Sequence, residues 1–84
     1  MEQAPWSRRA TYTLYGITMT LPRVVTGPGK YVTRGGAVVN IDRLGGYNNF
    51  KAYGSYPNGT AEMWYVSGRV LPYSLSENDI VRAF

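Results

Sequence analysis

Tyr47-Asn48-Asn49-Phe50-Lys51-Ala52-Tyr53-Gly54-Ser55-Tyr56-Pro57-Asn58-Gly59-Thr60-Ala61-Glu62-Met63-Trp64-Tyr65-Val66-Ser67-Gly68-Arg69 is the stretch whose reading decides the fold. Two aromatic-rich runs flank Pro57-Asn58-Gly59, and a second small-residue break follows at Ser67-Gly68. Asn-Gly supplies two neighbours that tolerate positive φ, as a two-residue hairpin turn requires. The runs carry Tyr, Phe, Trp, Val and Thr, which fit a pleated, half-buried surface. The stretch therefore predicts an antiparallel hairpin with arms 47–56 and 60–66. In the first arm Phe50, Ala52, Gly54 and Tyr56 share a face, and Asn49, Lys51, Tyr53 and Ser55 share the other. In the second, Ala61, Met63 and Tyr65 oppose Glu62, Trp64 and Val66. Both faces of this arm carry large apolar groups. The period of two thus leaves open whether Trp64 is a core ring or part of an exposed aromatic face.

Working upstream, Lys30 to Arg34 reads as a short strand, Gly35-Gly36 as a hairpin turn, and Ala37 to Leu44 as the return strand. Ala37, Val39 and Ile41 face the core, and Gly45-Gly46 ends the strand. Residues 22–29, with two Pro and two Gly, form a loop. Ala10 to Leu21 reads as extended, because four Thr disfavour helix and no 3.6-residue stripe appears. Tyr12 and Leu14 share one face, while Ile17, Met19 and Leu21 have the opposite parity. Gly16 between them marks a bulge, a sharp bend or a tight turn. Met1 to Arg9 has no period and forms a loose leading segment, in which Trp6 either packs over the core edge or anchors a partner.

Downstream, Arg69 to Leu75 gives a strand interrupted by Pro72. Ser76 lies three residues before Asp79, the spacing of a helix start. Ile80, Val81 and Phe84 would then cover an open end of the sheet. A final short strand through Asp79-Ile80-Val81 is the alternative. The expected architecture is all-β: a small antiparallel sheet or partly open barrel of 5–6 strands, with at most a short C-terminal helical turn. The chain is one domain, residues 1–84, with a sheet over 10–75 and a cap over 76–84.

Eighty-four residues bury only about 60–65% of their unfolded surface. Eight Tyr, two Trp and two Phe are more aromatic rings than so thin a core encloses, and Tyr keeps its hydroxyl wet while burying its ring. There is no Cys, hence no disulfide, thiolate nucleophile or zinc–thiolate site. There is no His either, and the five acids are scattered, so neither a metal nor another cofactor is expected. No apolar run reaches the ~18 residues of a membrane span. The first twenty residues lack a secretory pattern, so a cytoplasmic site of action is expected.

Without His, a nucleophilic triad lacks its usual base. Asp42 and Glu62, the acids on neighbouring strands, read as surface charges opposite Arg43 or Lys51. The glycine pairs lack a phosphate-loop Lys-Ser/Thr ending. Catalysis is not expected. The net charge of +4, with seven Arg among nine basic residues, suits either solubility or an acidic partner. Tyr31, Arg34, Lys51, Tyr53, Trp64 and Arg69 would suit a sheet-based nucleic-acid binder, with rings on bases and cations on phosphates. Tyr, Trp and Arg are equally the residues that dominate protein interfaces. In that reading Tyr47, Tyr53, Tyr56, Trp64 and Tyr73 anchor, and Arg34, Lys51 and Arg69 capture charge. An unpaired strand edge around Val70-Leu71 or Tyr12-Leu14 would favour a homodimer.

One pattern runs through residues 30–81: Tyr31-Val32-Thr33-Arg34-Gly35-Gly36, Val39-Asn40-Ile41, Asn58-Gly59, Met63-Trp64, Ser67-Gly68-Arg69 and Asp79-Ile80-Val81. It resembles small phage and prophage β-proteins, many of unassigned activity, and among small phage proteins the host-defence inhibitors of the anti-CRISPR kind. The resemblance implies a non-enzymatic protein in the host cytoplasm that occupies and blocks a host protein surface, such as that of a nucleic-acid-binding complex. Direct nucleic-acid binding is the alternative. Tyr12 to Arg23 has no counterpart in the pattern.

Overall fold

The computed structural model describes residues 9–46 and 49–84, without the side chains at 9, 10, 12, 14 and 19. The described residues are all-β and contain no α-helix. Their strands are β1 Arg9–Leu14, β2 Ile17–Pro22, β3 Gly29–Thr33, β4 Val38–Gly45, β5 Lys51–Ser55, β6 Ala61–Tyr65 and β7 Ile80–Ala83. β1 and β2 form a separate hairpin. The other five form one antiparallel sheet in the order β6-β5-β4-β3-β7, curled into a half-barrel.

Three turns share one construction. Each has a three-residue loop: Arg34-Gly35-Gly36, Pro57-Asn58-Gly59 and Val66-Ser67-Gly68. The residue before the loop donates its N–H to the carbonyl of the residue after it: Thr33 to Ala37 at 2.8 Å, Tyr56 to Thr60 at 2.9 Å, Tyr65 to Arg69 at 2.8 Å. The third loop residue donates back, and its φ is +97°, +91° and +94° respectively, a region open chiefly to glycine. The two-residue turn expected at Asn58-Gly59 is therefore a longer loop. Asn58 stays out of the left-handed region, and its side-chain oxygen accepts the Thr60 N–H at 2.9 Å. A two-residue turn occurs instead at Tyr15-Gly16, with φ of +54° and +77°, between the paired Leu14 and Ile17. That decides the reading of Gly16 in favour of a tight turn.

The sheet's concave face is filled by Val25, Tyr31, Val39, Ile41, Ala52, Trp64, Val66 and Ile80. Trp64 is a core ring, 0% exposed. Its indole N–H donates to the Asn78 carbonyl at 2.8 Å, which removes the cost of burying that polar handle. The Tyr56 ring meets it edge-on at 5.5 Å. Tyr65, on the opposite face of β6, is covered by Phe50 at 5.8 Å between ring centres. Gly54 is needed for a different reason from the turn glycines: a Cβ there would overlap the Asn40 carbonyl oxygen of β4.

The curl brings the two ends of the sheet together. The Val66 carbonyl accepts the N–H groups of Val24 at 2.8 Å and Val25 at 2.9 Å, and the Ile80 N–H donates to Gly68 O at 2.7 Å. Two expectations need correction here. Residues 69–75 are not a strand, because the Val70 N–H goes to the Asp79 carboxylate at 3.0 Å and Pro72 has none to give. The sheet also does not stop at residue 75. Ser76 to Asp79 makes helix-start hydrogen bonds, Ser76 N–H to Asp79 Oδ2 at 2.9 Å and Asn78 N–H to Ser76 Oγ at 3.1 Å. The chain then leaves as strand β7 beside β3, the alternative weighed for this segment.

Candidate functional site

Among the described residues, two regions bring charged side chains together. The first is the outer face of β4, β5 and β6. The β4–β5 register shifts between Ile41 and Arg43, so Arg43 stands opposite Tyr53, and Met63 flanks Tyr53 from β6. The Arg43 guanidinium lies over the Tyr53 ring, 4.2 Å from its centre, and Lys51 Nζ lies 5.5 Å from the Phe50 ring centre. Among the described residues neither cation has an acid within ion-pair reach. Asp42 and Glu62 are not their counter-charges, contrary to expectation. Asp42 accepts from Asn40 Nδ2 at 2.8 Å, and Glu62 accepts from the Tyr56 hydroxyl at 2.9 Å. Burial first, then the hydrogen bond and the negative charge of Glu62, push the Tyr56 phenol from 10.0 up to about 12.

The second region lies where the 34–36 loop meets the 76–79 segment. The Arg34 N–H donates to Asp79 O at 2.7 Å and the Gly35 N–H to Glu77 O at 2.8 Å. The Asp79 side chain is buried. Its Oδ1 accepts from Val70 N–H, and its Oδ2 from Ser76 N–H and from Arg34 Nη2 at 3.3 Å. Arg34 Nε also donates to Ser76 O at 3.2 Å. Arg34 and Arg69 line one cavity beside this node, together with Ser67 and apolar side chains of β2 and β7.

The predicted binding residues therefore do not form one surface. Arg34 and Arg69 meet at the cavity, whereas Lys51 and Tyr53 share the outer face. Tyr56 is half-buried between Glu62 and Trp64. Tyr73 is half-buried, and its hydroxyl donates to the Ile17 carbonyl at 3.0 Å, tying the β1–β2 hairpin to the 70–74 segment. Trp64 must be withdrawn as an anchor, because a ring sealed in the core touches no partner. Tyr31 is withdrawn as a stacking platform for the same reason: it is buried, with its hydroxyl donating to Gly27 O at 2.7 Å. Tyr47 and Trp6 lie outside the described residues. The surplus of rings does reach solvent at Tyr15, 91% exposed at the hairpin tip.

Arg43, Met63 and Ser67 are not among the binding residues expected from the sequence. Arg43 needs the register shift after Ile41, which no residue pattern announces. Ser67 was visible only as part of a Ser-Gly break. Among the described residues no group of three acids, His or Cys is placed to hold a metal, and no helix is long and apolar enough to cross a membrane. Comparison with family models, with curated proteins and with solved structures found no match to this chain.

Proposed function

We propose that this chain is a non-enzymatic binding protein that seats the outer face of β4, β5 and β6 on an acidic surface of another protein and occupies it. The observation that carries this reading is the Arg43–Tyr53 stack with Lys51 beside it and, among the described residues, no acid opposite. Both cations rest on rings and have no acid within ion-pair reach among the described residues, which leaves their charge for an outside partner. Stacking restrains the guanidinium, so less side-chain freedom is lost on docking. Met63 adds adaptable apolar area beside it. The residue pattern from Lys30 to Val81 supports the finer reading, a phage-type inhibitor acting on a host protein in the cytoplasm. For self-association, the Val70-Leu71 segment is not a strand, and β1, an outer strand of its hairpin, is the other edge expected to pair in a homodimer.

The same basic-aromatic face favours a nucleic-acid strand as the second reading. Against it, Arg43 covers the Tyr53 ring on the side where it stacks. The test is affinity capture from nuclease-treated host lysate, with the wild-type chain and an Arg43→Glu/Lys51→Glu variant. A stoichiometric protein held by the wild type and released by the variant is the expected result. Equal retention by both, or no retained protein, defeats the proposal. Capture that disappears on nuclease treatment favours nucleic acid instead.

A further inference from the structure

We propose that the cavity between the end of β2, the Ser67 turn and β7 binds a carboxylate carried on a short branched aliphatic chain. This site is separate from the outer face of β4, β5 and β6 and does not rest on that reading. The cavity measures about 230 Å³. That is below the range of pockets that take drug-sized ligands and suits a small one. Leu21, Leu75 and Val81 give it apolar walls, and Arg34, Ser67 and Arg69 give it donors.

The charge and hydrogen-bond accounting fixes the ligand's polar end. Asp79 also lines the cavity, but its two carboxylate oxygens already accept three hydrogen bonds and its charge is matched by Arg34. Arg69 has no acid partner among the described residues, so the wall carries one surplus positive charge. Ser67 Oγ is buried in that wall with no hydrogen-bond partner. Buried polar groups are otherwise nearly always paired. One unpaired hydroxyl in that wall, beside a guanidinium with no acid partner among the described residues, calls for an incoming acceptor with negative charge. The apolar remainder of the wall calls for a hydrocarbon tail behind it. A free short-chain acid and the C-terminal residue of a peptide both have this chemistry.

The experiment is an amide-resonance titration of the full chain with 3-methylbutanoate, with an acetylated tripeptide ending in Leu, and with the amidated form of each. The expected result is saturable shifts at Ser67, Gly68, Arg69 and Val81 with the acids and none with the amides. Binding by the tripeptide alone identifies a chain terminus as the source, and binding by 3-methylbutanoate alone identifies a free acid. Arg69→Gln should weaken binding roughly tenfold or more, as loss of a charge-assisted hydrogen bond does. Ser67→Ala should weaken it several-fold while leaving the melting temperature unchanged or higher, since it deletes an unpaired hydroxyl. No shifts with either acid, equal shifts with the amides, or a lower melting temperature for Ser67→Ala would overturn the proposal.

Discussion

Asp79→Ala should destabilise the fold far more than Arg34→Gln, although the two residues form one ion pair. The carboxylate accepts the Val70 and Ser76 N–H groups at 3.0 and 2.9 Å as well as the Arg34 guanidinium. Removing it strands two part-buried backbone donors, at about 1–3 kcal/mol each, so a total near 3–5 kcal/mol is expected. Removing Arg34 strands much less. Its side chain is 45% exposed, its contact to Asp79 is long at 3.3 Å, and both backbone donors keep their acceptor. A pair of that kind contributes about 0.2–1 kcal/mol. An 84-residue domain has about 4–13 kcal/mol in all, so Asp79→Ala would consume roughly a quarter of it or more and Arg34→Gln very little. Urea unfolding followed by tryptophan fluorescence measures both. Equal losses for the two variants would show that the ion pair, rather than backbone capture, is what Asp79 supplies, and the reasoning would fail.

Gly54→Ala places a methyl group into the Asn40 carbonyl and must push β4 from β5, with a loss of at least about 2–3 kcal/mol. A thermal melt matching the wild type would contradict this. The Tyr56 phenol ionises near 10.0 in the unfolded chain and near 12 in the fold, so the stability it confers is complete below pH 10 and disappears as pH rises to 12. Urea midpoints for the wild type and Tyr56→Phe between those limits should converge as pH rises; parallel curves would count against the assignment. In a Trp6→Phe background, Trp64 should emit as a dry indole and resist acrylamide quenching, and Trp64→Ala should cost about 3–5 kcal/mol. A water-like emission from the folded protein would place the ring outside the core.

The meander from β3 to β6 was legible because its turns carry glycine and its strands carry period-two hydrophobics. Val39 and Ile41 lie on the face read from the sequence as inward. The inward face of β6 was not legible, since Trp64 and Tyr65 are both large. What decided it was the Asn78 carbonyl, which accepts the indole N–H from fourteen residues away. The end of the chain shows a local signal that was correct and still misleading. Ser76 and Asp79 make the hydrogen bonds of a helix start, but β-branched Ile80 and Val81 and the waiting Gly68 carbonyl extend the chain instead. Of the site, residue types such as Arg34 and Arg69 were readable. Their meeting at one cavity was not, because it depends on the long-range closure of the half-barrel.

That closure also sets an order of assembly. Connections of four and five residues, 34–37 and 56–60, join β3 to β4 and β5 to β6, so the meander forms between chain neighbours at low entropic cost. β7 must return from the far end of the sequence to pair Tyr31 with Ala83 and to reach Gly68. The seam between Gly68 and Ile80 is therefore the last join made and the first undone, and a hydrogen–deuterium exchange time course would see the amides of residues 80–84 open ahead of the rest of the sheet.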